Sequence, residues 1–254
     1  MHKLEHELFE LLSITAPSGM ERPVADFLIK RLQGQVDYLG RDSYGNVLAE
    51  KAYGTGVGPT ILLCAHMDTV WVDPDREIVQ ERAVWSSSSG PLGADDRAGI
   101  AIILDVLRTL NQNSSFQGCL KLAFTCEEEI GRVGSEQIDP LWLEDVQLCI
   151  VVDRRGNRDI VVRNSRMRFC DPQLGDYFEA MGTMCGMSGW QAVQGGISDA
   201  VTFASLGIPS VNLSAGYEYE HTDEEYVNVN QCKETIRLIV QSLINFPLQQ
   251  QRIA

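Results

Sequence analysis

Four short apolar runs in this chain, "ILLCA", "LKLAFT", "LCIVV" and "SVNLS", each give way at the carboxyl end to imidazole or carboxylate side chains. His66 and Asp68 follow the first; Glu127, Glu128 and Glu129 follow the second and Cys126; Asp153 closes the third; His221 lies a short loop beyond the fourth. Continuous apolar runs of this length read as strands covered on both faces, the state of parallel strands between helical layers. Helical segments interleave with them, from about Asp96 to Leu110, Gln173 to Met181, Ala200 to Leu206 and Gln231 to Ile244. Two more, Lys3 to Ser13 and Glu21 to Gln33, open the chain on either side of "TAPSG", whose Pro and Gly break a helix. "DIVVR" reads as a further strand, and "SSSSG" at Ser86 to Gly90 as a short flexible loop. The expected fold is α/β, a mostly parallel central sheet sandwiched by helices. In such sheets sites are built at the carboxyl edge of the strands, and Asp95, at the start of the helix after "GPLGA", would face that edge too.

Composition narrows the partners. With 21 basic against 35 acidic residues the formal charge is −14, and no Lys/Arg cluster interrupts it, so neither nucleic acid nor an anionic membrane is an expected partner. No apolar run approaches the roughly 20 residues of a bilayer span, and "MHKLEHELFELL" reads as an amphipathic helix, not a secretory leader; a cytoplasmic location is expected. The seven cysteines are odd in number, contain no CxxC pair and read as reduced thiols. His2 and His6 lack nearby acidic partners and are expected to be surface residues.

Each polar residue alone has a structural explanation. Asp95 and Asp96 fit a helix start, the three glutamates a solvated helix entry, and Asp153 the turn "DRRG". Together, two histidines and several carboxylates converging on one sheet edge form a ligand set suited to zinc, which takes neutral imidazole and carboxylate oxygen at about 2.0–2.2 Å. Without cations, so many carboxylates in one cleft would repel and raise one another's pKa values. Two dications would neutralise them.

"AHMDTV", "LGADDRAGIA", "FTCEEEIG", "VVD" and "GYEYEHT", in that order, resemble the motifs of the co-catalytic di-zinc exopeptidases, the clan of tripeptidase T, the carboxypeptidase G-type enzymes and the zinc aminopeptidases. The resemblance runs from "APSGMERPVADFL" to the last motif and implies a single zinc-exopeptidase-like catalytic domain over residues 1–254. Carried over by position, it implies that His66 and Asp153 complete one zinc site, Glu129 and His221 the other, and that Asp95 bridges them. It also implies that Asp68 holds the His66 imidazole and that Glu128 is the general base for a water shared by the two ions. Two Zn2+ are the implied cofactors, with Co2+ or Mn2+ as alternatives.

The chain also departs from the clan's pattern. Only 44 residues separate Asp153 from Ser198, near or below the ~50 of the smallest domains, and Met67 to Ala94 is shorter still, so no inserted lid or dimerisation domain is expected. Homo-oligomerisation is left open. In the clan an Asp at the position of Asp153 accompanies cleavage from the amino end, and an acidic cleft attracts an ammonium group. The expected substrate is a short peptide, with an N-acyl amino acid or similar amide as the alternative, and a non-catalytic peptide-binding homologue as a third. Asp199 or Glu127 could bind the substrate amine, although turn and helix capping explains Asp199 equally well. Arg154 and Arg155 could bind a carboxylate, or form a solvated turn.

Overall fold

The computed structural model describes residues 3–113 and 115–246. Its strands are β1 (Tyr38–Arg41), β2 (Val47–Tyr53), β3 (Thr60–His66), β4 (Ile78–Glu81), β5 (Val84–Ser87), β6 (Gly118–Thr125), β7 (Val146–Arg154), β8 (Asp159–Arg163), β9 (Gln191–Gln194), β10 (Ser210–Ser214), β11 (Tyr217–Glu218) and β12 (Tyr226–Asn228). The helices are α1 (Lys3–Leu12), α2 (Arg22–Leu32), α3 (Ala94–Asn113), α4 (Val133–Glu136), α5 (Pro140–Leu143), α6 (Pro172–Met184), α7 (Asp199–Ser205) and α8 (Val229–Asn245). None is long and apolar enough to cross a membrane, among the described residues.

Eight strands form one sheet in the order β1-β2-β6-β3-β7-β10-β8-β9. The four apolar runs of the sequence are its central strands, and neighbours β6/β3, β3/β7 and β7/β10 are parallel. Their largely apolar character follows from being covered twice. Along β3, Ile61, Leu63 and Ala65 enter the core that includes α1, α2, α3 and α8, while Leu62 and Cys64 enter a second one with Ala200 and Phe203 of α7. Each buried aliphatic side chain contributes about 1.5–3 kcal/mol relative to exposure. The fold class is the α/β sandwich expected, with antiparallel margins: β1 and β2 at one side, and β8 against β10 at the other. The connection from β7 to β8, residues 155–158, is too short for the crossover that a parallel return requires, so "DIVVR" runs back.

A second, four-stranded antiparallel sheet, β11-β12-β5-β4, sits beside the first. It corrects one expectation: Ser86 and Ser87, read as the start of a flexible loop, are the end of β5 and pair with β4 and β12. The residues between Asp153 and Ser198 build β8, α6 and β9 and extend the main sheet. Asp171 caps α6, accepting from Gln173 N–H at 2.9 Å, with Pro172 at the first helical position. All seven cysteines are free thiols.

Candidate metal centre

Three parallel strands and two loops deliver the polar residues to one edge. His66 is the last residue of β3, Asp68 lies in the turn beyond it, the glutamates follow β6, and Asp153 is next to last in β7. Asp95 stands at the head of α3 with non-helical angles (φ −75°, ψ 108°), as does Asp96 (φ −115°, ψ 38°). The regular helix begins after them. Asp96 is the capping residue, its carboxylate accepting from Gly99 N–H at 3.0 Å, which leaves the Asp95 side chain to face the strands. His221 comes from the loop between β11 and β12 and is itself left-handed, at φ 66°.

These residues gather as two donor sets. Ligand atoms of His66, Asp95 and Asp153 lie within 4.8 Å of one another, and so do those of Asp95, Glu129 and His221. Asp95 belongs to both and divides its oxygens between them: Oδ1 is 3.0 Å from His66 Nε2, and Oδ2 is 3.3 Å from His221 Nε2. His66 Nε2 also stands 3.7 Å from Asp153 Oδ1, and His221 Nε2 stands 2.9 Å from Glu129 Oε1. Two ligands held about 2.0–2.2 Å from one tetrahedral ion stand about 3.3–3.6 Å apart; the donor pairs here span 2.9–3.7 Å, within a few tenths of an ångström of that range, the shortest being hydrogen-bonded. The second His66 nitrogen is already engaged, with Nδ1 3.0 Å from the Asp68 carbonyl oxygen and 3.3 Å from its carboxylate. Nε2 is therefore the nitrogen turned toward the carboxylates, as a ligating tautomer requires.

Electrostatics point the same way. Burial, followed by the charge of Asp153, pushes the Glu128 carboxyl up to about 9; burial, followed by Asp95, pushes Asp153 up to about 7. Burial would depress the His66 imidazole, but Asp153, Asp68 and Asp95 outweigh it and hold it well above its ordinary value. His221 is raised to about 10 by Asp95 and Glu129. Burial alone would raise Asp68, yet His66 brings it down to about 2. The carboxylates thus divide: Glu128 and Asp153 are raised by burial and by the charge of neighbouring carboxylates, whereas Asp68 and Asp95, hydrogen-bonded to the imidazoles, are lowered despite burial, and both imidazoles hold protons more tightly. The donor chemistry fits divalent zinc.

Supporting side chains fix the donors. The Asp68 carboxylate accepts Glu128 N–H at 2.9 Å and Glu129 N–H at 3.1 Å, so one buried acid ties the glutamate loop to His66; the Ser18 hydroxyl donates to it at 2.7 Å. Tyr217 Oη donates to Asp153 Oδ1 at 2.9 Å, and the Asn212 side chain bonds both the N–H and the C=O of Asp153. The motifs do not single out Ser18, Asn212 or Tyr217. Asn212 did carry a signal: an amide inside an apolar strand needs a partner.

Outside the donor sets the candidates separate. Glu127, at φ 53°, accepts from the Tyr44 hydroxyl and lies in neither set. Asp199 is 1 % exposed and accepts from Thr125 Oγ1 at 2.6 Å, which removes it from any surface a substrate amine would meet. It does not cap α7 either, because Ser198 does. The Arg154 guanidinium bonds Asp159 at 2.9 and 3.0 Å, and Arg155 bonds Glu220 at 2.6 Å, so each already has a carboxylate partner within the protein. His6 is on the surface as expected but does have an acidic partner, Glu10 one helical turn on at 3.3 Å, and His2 lies outside the described residues.

The family model of peptidase family M28 matches residues 46–241, a span that includes both donor sets. The chain belongs to peptidase family M28. The relation to zinc exopeptidases expected from the motifs thus holds at the level of the family. This M28 chain is 26% identical over 132 residues to Peptidase T of Salmonella arizonae, a match covering 50% of the chain and 31% of that protein. It is 46% identical over 63 residues to a putative [LysW]-lysine/[LysW]-ornithine hydrolase of Pyrococcus furiosus, covering 25% of the chain and 18% of that protein. These matches span less than half the length of the curated relatives. Among solved structures, aminopeptidase PepT of Bacillus cereus superposes with a TM-score of 0.86 at 18% identity, covering 95% of this chain and 97% of that one. At that identity the likeness is one of fold.

Proposed function

We propose that this M28 chain is a two-zinc exopeptidase that removes residues from the amino end of short peptides. The observation that carries the proposal is the Asp95 carboxylate, with one oxygen toward His66 and the other toward His221. His66, Asp95 and Asp153 would hold one ion, and Asp95, Glu129 and His221 the other. When bound, such a pair lowers the pKa of water and polarises the scissile carbonyl. Glu128, beside the donor sets but in neither, takes the proton from the attacking water at its carboxylate and delivers it to the leaving amine. Asp68 keeps the His66 ring oriented and, through the Glu128 N–H, keeps the base in register with it.

Cleavage from the amino end is supported by Asp153, by the acidic cleft and by the names of the relatives, Peptidase T and aminopeptidase PepT. With Asp199 buried, Glu127 is the remaining carboxylate of the original pair for the substrate ammonium. The segment between Asp153 and Ser198 serves the main sheet, and in this proposal the site works without a lid inserted there. The test is to count zinc in the purified protein and assay aminoacyl anilides, dipeptides, tripeptides and N-acetyl amino acids after zinc or cobalt addition. Turnover of substrates with a free amino terminus is expected. Turnover of acylated substrates alone would reject the aminopeptidase, and the absence of both metal and turnover would reject the aminopeptidase and the amide hydrolase alike.

A further inference from the structure

Glu225 belongs to neither donor set, yet it is 1 % exposed and its carboxylate binds the segment that delivers Asp95. Oε2 accepts Gly93 N–H at 2.8 Å, and Oε1 accepts Ala94 N–H at 2.7 Å and Asp95 N–H at 3.0 Å. These amides precede the regular turns of α3, so they have no carbonyl of the helix to meet. Charged acceptors make stronger hydrogen bonds than neutral ones, and more so where water is excluded.

Glu225 also ends the loop that carries His221, residues 219–225 between β11 and β12. Immediately after it β12 pairs with β5, whose chain runs on to Gly93. The His221 loop and the Asp95 segment are therefore joined by a ladder at one point and by the Glu225 carboxylate at another. The two donor sets differ in what supports them. His66 and Asp153 are seated on β3 and β7 in the middle of the main sheet, whereas His221 is 43% exposed on a loop held by local turns, Thr222 N–H to the Tyr219 carbonyl and Glu225 N–H to the Thr222 carbonyl.

We propose that Glu225 is a positioning residue that holds the His221 loop against the Asp95 segment, and so sets the affinity of the Asp95–Glu129–His221 site more strongly than that of the His66–Asp95–Asp153 site, whose other two donors sit on the main sheet. This rests on the two-ion proposal above.

Wild type, Glu225→Gln and Glu225→Asp are stripped of metal, checked for cooperative thermal unfolding, and titrated with Co2+ against a chromogenic chelator while the visible cobalt spectrum is followed. Gln keeps the size but places an amide donor against the N–H groups; Asp keeps the charge but not the reach. Cooperative unfolding is expected in both. One stepwise affinity should fall about 10–100-fold with an altered cobalt spectrum, and the other, which shares Asp95 but keeps His66 and Asp153 on the sheet, should fall by less than about tenfold. Unchanged affinities in both variants, or an equal loss at both sites, overturns the inference. So does loss of folding in both, which would make Glu225 a keystone of the fold and not of one site. A wild type that takes up fewer than two ions sinks the two-ion proposal and this one with it; two ions in wild type with unaltered variants overturns this one alone.

Discussion

The three consecutive glutamates show how much neighbours of one kind can differ. Glu127 accepts from the Tyr44 hydroxyl, the Glu128 carboxyl is driven up by burial and Asp153, and Glu129 faces His221 at 2.9 Å. Glu128→Ala is expected to keep its metal and lose about two to four orders of magnitude in kcat, since in the proposed mechanism Glu128 carries the proton and binds no ion. Asp95→Ala should lose the metal itself, because both donor sets share that side chain; zinc counted beside activity separates the two cases. Tyr217→Phe deletes a hydroxyl that donates to Asp153 at 2.9 Å, and the expected result is about tenfold weaker metal binding by competition titration, with the fold retained. The residues of the two donor sets were legible as candidates because strand ends and motif order mark them. Asp199 was not, because a carboxylate that faces inward to Thr125 and one that faces a substrate look alike in the sequence.

At the scale of elements, the distance between α3 and β7 decides whether Asp95 and Asp153 can serve one ion. Gly99 sets it: a Cβ there would stand 2.0 Å from the Val152 carbonyl oxygen and 2.3 Å from the capping oxygen of Asp96. Gly99→Ala is expected to push α3 off the end of β7, costing about 1–3 kcal/mol in denaturant unfolding and lowering the zinc content at the same time. The central strands were legible for a physical reason, since burial on both faces demands a largely apolar run. The small sheet was not. Its strands have two to four residues, mostly half-exposed, and are held by pairing between segments far apart in the chain.

For the whole molecule, metal and fold should be linked. The native state gathers His66, Asp95, Glu129, Asp153 and His221, and the unfolded chain does not, so bound ions add to stability by mass action. Chelation is expected to lower the melting temperature, and each site held at 100 times its Kd contributes about 2.7 kcal/mol; thermal unfolding with chelator and then with restored zinc measures it. By itself the sequence determined the α/β class, the four core strands and the ligand candidates, because periodicity and residue chemistry are local properties that survive without coordinates. Only the tertiary structure decided which carboxylates join the two donor sets and which face the rest of the protein. Asp95 divides its oxygens between two histidines, Asp199 turns inward and Glu225 ties two distant loops. The direction in which a side chain points depends on how strands and loops far apart in the chain are brought together.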